Sequence, residues 1–319
     1  MRLHPIARAL VRRIAASIAV LWCVSVLLFA ATVVLPGDPA MRILGQDATP
    51  ENLEELRARL GLDRPAPVQY ADWLGDVLTG DMGTTNNGTP VGPLLSQRVT
   101  NSLVLAAVAA VLTVTIALAL GVTSGLRAGR AEDSALSVAA LVGVSIPDFV
   151  VAGLLISVFA FVLDWFPPVS LLLAGDTPFD RPSILVLPAV ALAVPAGAWA
   201  SRYVRAAVVD ARTAPNVEAA RLAGLPSRRV VFRHLLPGLI GPTAQVFAAA
   251  TGFLVGGAVV VEAIFAYPGV GSLLTDAVAV EDIDVILASG LTMATAVVVS
   301  FLLADLAGLV SNPRLRARP

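Results

Sequence analysis

Six long apolar segments constrain this chain more than any other feature of its sequence. Each meets or approaches the roughly 20 apolar residues that a helix needs to cross the hydrocarbon core of a bilayer. Asp148 is the one charged residue within them. Backbone groups inside a bilayer must form their hydrogen bonds within the segment, which favours helices. With 57% hydrophobic and 14% charged residues, the chain is predicted to be an all-α polytopic membrane protein with six transmembrane helices. The segments are residues 14–35, 102–126, 135–163, 183–201, 239–261 and 285–304.

The basic residues are distributed unequally among the loops that join these segments. All 22 are arginine, and 16 of them fall on one side of the predicted bilayer: before the first segment, after the second, between the fourth and fifth, and after the sixth. The opposite loops carry six arginines and, besides Glu262 at the end of the fifth segment, 16 acidic residues. Because positively charged loops stay in the cytoplasm, both termini are predicted to be cytoplasmic, an N-in/C-in topology.

This topology divides the chain into four parts. Residues 1–35 form a cytoplasmic N-terminus and the first helix, and residues 36–100 form an extracytoplasmic segment. Residues 101–313 form a core of five further helices, which contains the large cytoplasmic loop 204–238. Residues 314–319 are a cytoplasmic tail.

Two short helices are predicted in the extracytoplasmic segment. Thr49 followed by Pro50 is typical of a helix start, and Gly61 is a plausible end. The stretch VQYADWLGDVL places Tyr70 and Trp73 at helical spacing. This second helix could lie along the membrane surface, pack as a small cap over the ends of the spanning helices, or contact a partner protein.

The large cytoplasmic loop contains the stretch NVEAARLAGLPSRRVVFRHLLPG. Its first half favours a helix that ends at Gly224, because glycine readily adopts the left-handed conformation that closes a helix. A second short helix is predicted to begin at Pro226 and Ser227. The arginines of this loop could meet anionic lipid headgroups, whereas the small residues Ala219, Ala220 and Ala223 favour close docking into a groove on another protein.

At these residues the chain resembles the membrane-spanning permease subunits of ABC importers. Their cytoplasmic loop reads E-A-A, three residues, G, nine residues, I, one residue, L-P, and here His234 stands in place of the isoleucine. Further similarity to the oligopeptide, dipeptide and nickel branch lies in LPGDPA, SIPDF, VVEAIFAYPGVGSLLTDAV and DLAGLVSNPRLR. The residues that the resemblance assigns to coupling with the ATPases are Glu218, Ala219, Ala220, Arg221, Gly224, Leu225, Leu236 and Pro237.

The resemblance implies the type I ABC importer permease fold in a bacterial plasma (inner) membrane. It also implies that the chain pairs with a second permease subunit, couples to two ATPase subunits, and receives substrate, most simply oligopeptides or dipeptides, from an extracytoplasmic binding protein. The chain itself would be non-catalytic, with no metal, cofactor or nucleic acid; ATP and Mg²⁺ would be bound by the ATPases. Nickel chelates or glutathione are alternative substrates, and a secondary transporter with broken helices is the alternative class.

Acidic residues within or next to the spanning segments are candidates for the translocation pathway, because charges are costly inside a bilayer. Asp148 directly follows Pro147, where the helix is expected to kink. It could contact the amino terminus of a passing peptide, or it could act as a local cap for the broken helix. Glu262, at the outer end of the fifth helix, could gate the pathway or meet interface water. Asp305 is expected to pair with a loop arginine.

Overall fold

The computed structural model describes residues 5–34, 39–44, 49–61, 63–173 and 175–311. The predicted tail 314–319 lies outside these residues, as do parts of the predicted segments 1–35 and 36–100. Apart from one isolated bridge between Thr84 and Pro90, the secondary structure of the described residues is helical, which confirms the all-α prediction. The helices are α1 Pro5–Val34, α2 Pro39–Leu44, α3 Pro50–Leu60, α4 Ala66–Thr79, α5 Val91–Leu126, α6 Ala131–Ser145, α7 Asp148–Leu155, α8 Ser183–Ala211, α9 Pro215–Leu222, α10 Ser227–Val230, α11 Leu236–Ile264, α12 Val270–Ala279 and α13 Ile283–Ser311.

Among the described residues, five helices are long and apolar enough to cross a membrane, and a broken helix makes the sixth predicted span. This broken span consists of α6 and of α7 continued by the π-helix Ile156–Val162, and it bends by 99°. The bend falls at Ile146, whose backbone is extended (φ −87°, ψ 121°). The following Pro147 disfavours the α conformation at Ile146 and cannot donate a backbone hydrogen bond. The predicted kink is therefore a complete break.

Several spans, among them α5 and α8, continue as helices well beyond the apolar segments that predicted them. α5 begins at Val91 rather than at residue 102, and α8 continues to Ala211 rather than ending at residue 201. Hydropathy marks the part of a helix that lies in hydrocarbon, whereas backbone hydrogen bonding continues through polar turns outside it. The loop expected at 204–238 is consequently much shorter, because residues at both of its ends belong to spanning helices.

Close packing between α5 and α8 forms the centre of the bundle. A Cβ atom at Gly121 would lie 2.6 Å from Val204 Cβ, and one at Gly125 would lie 2.6 Å from Val208 Cβ. Small residues let two helix backbones approach in this way, which favours helix association in membranes. Thus α8 is held firmly against α5 along its cytoplasmic half.

Three glycines in the outer half of α11, at positions 252, 256 and 257, differ in the contacts that they permit. A Cβ atom at Gly252 would lie 3.0 Å from the ring of Phe301, and one at Gly257 would lie 2.5 Å from Asp148 Oδ2. Gly256 has open space at the corresponding position. Two of these three glycines therefore permit close contacts, whereas Gly256 permits none with the residues that the structure describes.

The first span, α1, lies at the edge of the bundle and contacts α13 and α4. Arg13 of α1 forms an ion pair with Asp305 of α13. Asp305 thus pairs with an arginine as expected, although Arg13 belongs to a helix and not to a loop, because α1 begins before its apolar segment. At the outer end, the ring of Phe29 lies 5.5 Å from Tyr70 and 5.8 Å from Trp73 of α4.

The short outer helices form as their sequence predicts. The Thr49 side chain accepts a hydrogen bond from the Asn52 backbone N–H at 3.3 Å, and Gly61 ends α3 with φ +67°. Tyr70 Oη of α4 lies 2.8 Å from Ser25 Oγ of α1. Together with the Phe29 contacts, this confirms that α4 packs as a cap over the outer end of a spanning helix.

Candidate functional site

The candidate site begins with α9, a short helix on the cytoplasmic side between α8 and α11. Ala214 is extended before it (φ −66°, ψ 140°), and Pro215 occupies its first turn, where the missing N–H of proline carries no penalty. The helix ends in a Schellman motif: Leu225 N–H donates to Ala220 O at 3.2 Å, and Gly224 N–H donates to Arg221 O at 3.0 Å. Gly224 has φ +73°, as the predicted turn requires.

One face of α9 is anchored to the bundle. Val217 and Ala220 are buried, with exposed fractions of 1% and 5%. They belong to an apolar cluster formed with α5, α8 and the start of α11. Asn216 Nδ2 also donates to His234 O at 3.2 Å. The prediction that Ala220 lies on the docking surface is wrong, because Ala220 is one turn from Val217 and faces the same buried side.

The opposite face of α9 is exposed to the cytoplasm. Leu222 is 84% exposed, and sequence reasoning did not single it out. A single exposed leucine is common on protein surfaces, so Leu222 marks the outward face of α9 and does not by itself identify a partner. The predicted coupling residues on this exposed side are Glu218, Ala219, Arg221 and Gly224; Leu225 is half-buried behind the turn.

The second half of the loop is not a separate helix. α10, the π-helix Val231–Leu235 and α11 follow one another without a break, so that helical structure runs from Ser227 to Ile264. Leu236 is half-buried, Pro237 is exposed, and the buried anchor of this region is Leu235. The predicted short helix is therefore the cytoplasmic end of a spanning helix, and any displacement of α9 acts on it directly.

The other end of the loop is fixed to the bundle as well. Arg212, just after α8, donates from Nη1 to Gly125 O at the end of α5, with an N–O distance of 3.1 Å. A carbonyl at a helix end lacks an intrahelical donor, and the positive side chain also suits the negative end of the helix dipole. α9 is consequently connected at both ends to elements that cross the membrane.

Asp148 lies within the membrane part of the bundle as the first residue of α7. Its side chain is half-buried and lies against Gly257 of α11. Among the described residues, none forms a hydrogen bond or an ion pair with its carboxylate. The substrate contact and the helix cap both stay predictions for Asp148.

Glu262 is fully buried, so the expectation that it meets interface water is wrong. Its carboxylate accepts hydrogen bonds from Ser102 Oγ at 2.7 Å and from Gly271 N–H at 2.7 Å, with Ser272 N–H further away at 3.4 Å. These donors place the carboxylate at the N-terminus of α12, where a negative charge is stabilised by the helix dipole. Packing of the 265–272 connection over the end of α11 removes it from solvent. The pathway role of Glu262 stays a prediction.

Tyr267 completes this buried polar network. Its hydroxyl donates to Asn101 O at 2.8 Å, and Asn101 Nδ2 donates to Pro268 O at 2.8 Å. Burial, and secondarily the nearby Glu262, raises the pKa of the Tyr267 phenol. The phenol therefore stays protonated and remains a hydrogen-bond donor. The network attaches the start of α12 to α5.

This bundle of spanning helices, with one broken span and a cytoplasmic helix held between two others, defines a multi-pass membrane transport subunit. The chain belongs to the family of binding-protein-dependent transport system inner membrane components. The model of that family matches residues 117–317, and the model of its N-terminal region matches residues 6–119. The protein is therefore a permease subunit of an ABC importer, located in the inner membrane, and the secondary-transporter alternative is wrong.

Two relatives show how far the similarity extends. The oligopeptide transport system permease protein AppB of Bacillus subtilis is 34% identical over 310 residues, which cover 96% of this chain and 98% of AppB. The probable peptide ABC transporter permease protein y4tP of Sinorhizobium fredii is 33% identical over 313 residues, which cover 96% of this chain and 98% of y4tP. The similarity thus extends over nearly the full length of all three proteins.

Proposed function

We propose that this chain forms one half of the translocation pathway of a peptide importer, together with a second, homologous permease subunit. The names of its relatives, which describe oligopeptide and peptide transport, support a peptide substrate. An extracytoplasmic binding protein delivers the peptide to the outer face. Two cytoplasmic ATPases drive the transport cycle.

The geometry of α9 carries the coupling part of this proposal. One face of the helix is anchored through Val217, and the other presents the 84% exposed Leu222 to the cytoplasm. An apolar side chain in this position gains free energy when a partner covers it. α9 therefore docks into a groove of an ATPase. Because α9 is fixed to α8 and to the helix that starts at Ser227, closure of the ATPases shifts these spans between inward-open and outward-open packings.

The chain performs no catalysis in this proposal. The phosphate-binding loop of an ABC ATPase requires a lysine that reaches the terminal phosphates of ATP, and the sequence contains only arginine as a long basic side chain. ATP and Mg²⁺ therefore bind to the partner ATPases. The purified chain without partners is expected to show no ATP turnover, which a phosphate-release assay measures directly.

Coupling is tested by co-purifying the ATPases with variants of this loop. Gly224→Asp disfavours the left-handed turn and adds a charge beside the docking face, and Leu222→Asp places a charge on that face without changing the turn. Both are expected to lose the ATPases and to stop transport. Arg228→Gln is the control, since an arginine near headgroups contributes only about 1 kcal/mol. Normal ATPase recovery and transport with Leu222→Asp and Gly224→Asp would refute the docking role.

The substrate is tested in cells that lack this gene. Uptake of labelled dipeptides and pentapeptides is measured with and without the restored gene, and labelled nickel and glutathione are measured in parallel. Gene-dependent uptake is expected for the peptides. Uptake that depends on the gene only for nickel or glutathione would contradict the peptide proposal.

A further inference from the structure

Asp148 presents a carboxylate inside the membrane that forms no ion pair with any of the described residues. It lies beside Gly257, which is seven residues before the end of α11 at Ile264. At 1.5 Å per residue, the carboxylate is therefore about 10 Å below the outer end of that helix. None of the described residues pairs with it. A half-exposed carboxylate at this depth is unfavourable against lipid, so its open side must face water or a polar partner.

The backbone around Asp148 leads to the same conclusion independently. The break at Pro147 leaves the last carbonyl groups of α6 without intrahelical donors, and Ser145 and Pro147 are exposed. Irregular backbone at membrane depth is tolerated where it is covered by protein or lines a water-filled cavity. Since the described residues leave Ser145 and Pro147 exposed, the break and the Asp148 carboxylate face the same polar surroundings outside the described part of the chain.

The chemistry of this environment is cation recognition. Asp148 is the first residue of α7, whose positive helix end offsets part of its charge, while the C-terminal end of α6, three residues earlier in the chain, contributes partial negative charge. Broken membrane helices use such carbonyl ends to bind cations. We infer that Asp148 and the carbonyl end of α6 line the translocation pathway and bind the positively charged amino terminus of the transported peptide. This inference rests on the proposed function, because it requires a peptide substrate.

Gly257 would then act as a positioning residue. A Cβ atom at this position would lie 2.5 Å from Asp148 Oδ2 and 3.1 Å from Leu192 Cδ2, so an alanine must displace the carboxylate. Gly256 is its matched control, because a Cβ atom there meets nothing within 4 Å. Gly257→Ala therefore moves the charge without removing it.

The experiment measures uptake of one labelled tripeptide, with a free and with an acetylated amino terminus, in cells that carry each variant and the complete importer. Complex yield is measured in the same membranes. Asp148→Asn is expected to lower uptake of the free peptide at least about tenfold, as expected for loss of a hydrogen bond between charged groups. With Asp148→Asn, uptake of the acetylated peptide and complex yield should each change less than twofold. With Gly256→Ala, uptake of the free peptide should also change less than twofold. Asp148→Glu should retain most uptake, and Gly257→Ala should resemble Asp148→Asn.

Other outcomes separate the explanations. Equal losses for both peptides, or unchanged uptake with Asp148→Asn, would overturn the recognition role. Loss of complex yield with Asp148→Asn would also overturn it and would assign the carboxylate to pairing with the second permease. If the wild-type importer takes up neither peptide, the proposed substrate itself is wrong, and the inference falls with it.

Discussion

Arg205 and Asp133 form a bidentate ion pair between α8 and the start of α6. Arg205 Nε lies 2.6 Å from Asp133 Oδ1, and Nη2 lies 2.7 Å from Oδ2. The Asp133 side chain is only 6% exposed, and it also accepts a hydrogen bond from Gly129 N–H at 3.1 Å. This pair fixes the first half of the broken span to the helix that leads into α9.

Breaking this pair should destabilise the protein. Asp133→Asn leaves the Arg205 guanidinium without its charged partner, so we expect the free energy of unfolding to fall by about 2 kcal/mol. Arg205→Lys should be nearly as harmful, because lysine cannot form the two parallel hydrogen bonds. Thermal unfolding in detergent measures the effect. The adjacent Glu132→Gln is the control, since Glu132 is exposed and lies 3.9 Å from Arg127; equal loss in this variant would contradict the role of the pair.

The turn after α9 should depend on the backbone of Gly224 and not on space around it. A Cβ atom would meet nothing within 4 Å at Gly224 or at Gly238, yet only Gly224 has a positive φ. Gly224→Ala should therefore cost about 1 kcal/mol, whereas Gly238→Ala, in a helix, should be neutral or stabilising by about 0.5–1 kcal/mol. Protection of α9 from limited proteolysis reports this difference. Equal protection in both variants would show that the turn tolerates alanine.

The buried carboxylate of Glu262 should be necessary for folding of the outer region. Glu262→Ala leaves Ser102 Oγ and the N–H groups at the start of α12 without their acceptor, at a cost of about 1–3 kcal/mol for each unsatisfied group. We expect a strongly lowered melting temperature and reduced membrane abundance. Gly269→Ala should act similarly, because its Cβ atom would overlap the Glu262 carboxylate. Asp276→Asn, on the exposed side of α12, should be neutral, and a comparable loss there would point to general sensitivity of this helix.

The arginine distribution predicts a topology that thiol labelling can test directly. After Cys23→Ser, single cysteines are placed at Asn87 in the outer turn and at Ala131 at the start of α6, both of which are exposed. A membrane-impermeant thiol reagent should label Asn87→Cys in intact cells and Ala131→Cys only after permeabilisation. The reverse pattern would invert the orientation and place α9 outside the cytoplasm.

Local signals in the sequence predicted much of this fold correctly. Apolar length predicted the spans, Pro147 the break, Thr49 the start of α3, and Gly224 the end of α9. Each of these signals acts within a few residues of the structure that it specifies, through desolvation, a missing N–H, a capping hydrogen bond or a permitted φ. For the same reason the E-A-A stretch could be predicted to form a helix that ends at Gly224.

The tertiary structure alone decided which faces are buried and which distant polar groups meet. Asp133 and Arg205 are 72 positions apart, and Ser102 and Glu262 are 160 positions apart. In a soluble protein the apolar stripe of a helix would indicate its buried face. In a bilayer both lipid and neighbouring helices accept apolar side chains, so the pattern predicts that a segment spans the membrane but leaves its contacts unspecified. Only the packing of the bundle buried Ala220 and Glu262 and left Leu222 exposed and Asp148 half-exposed.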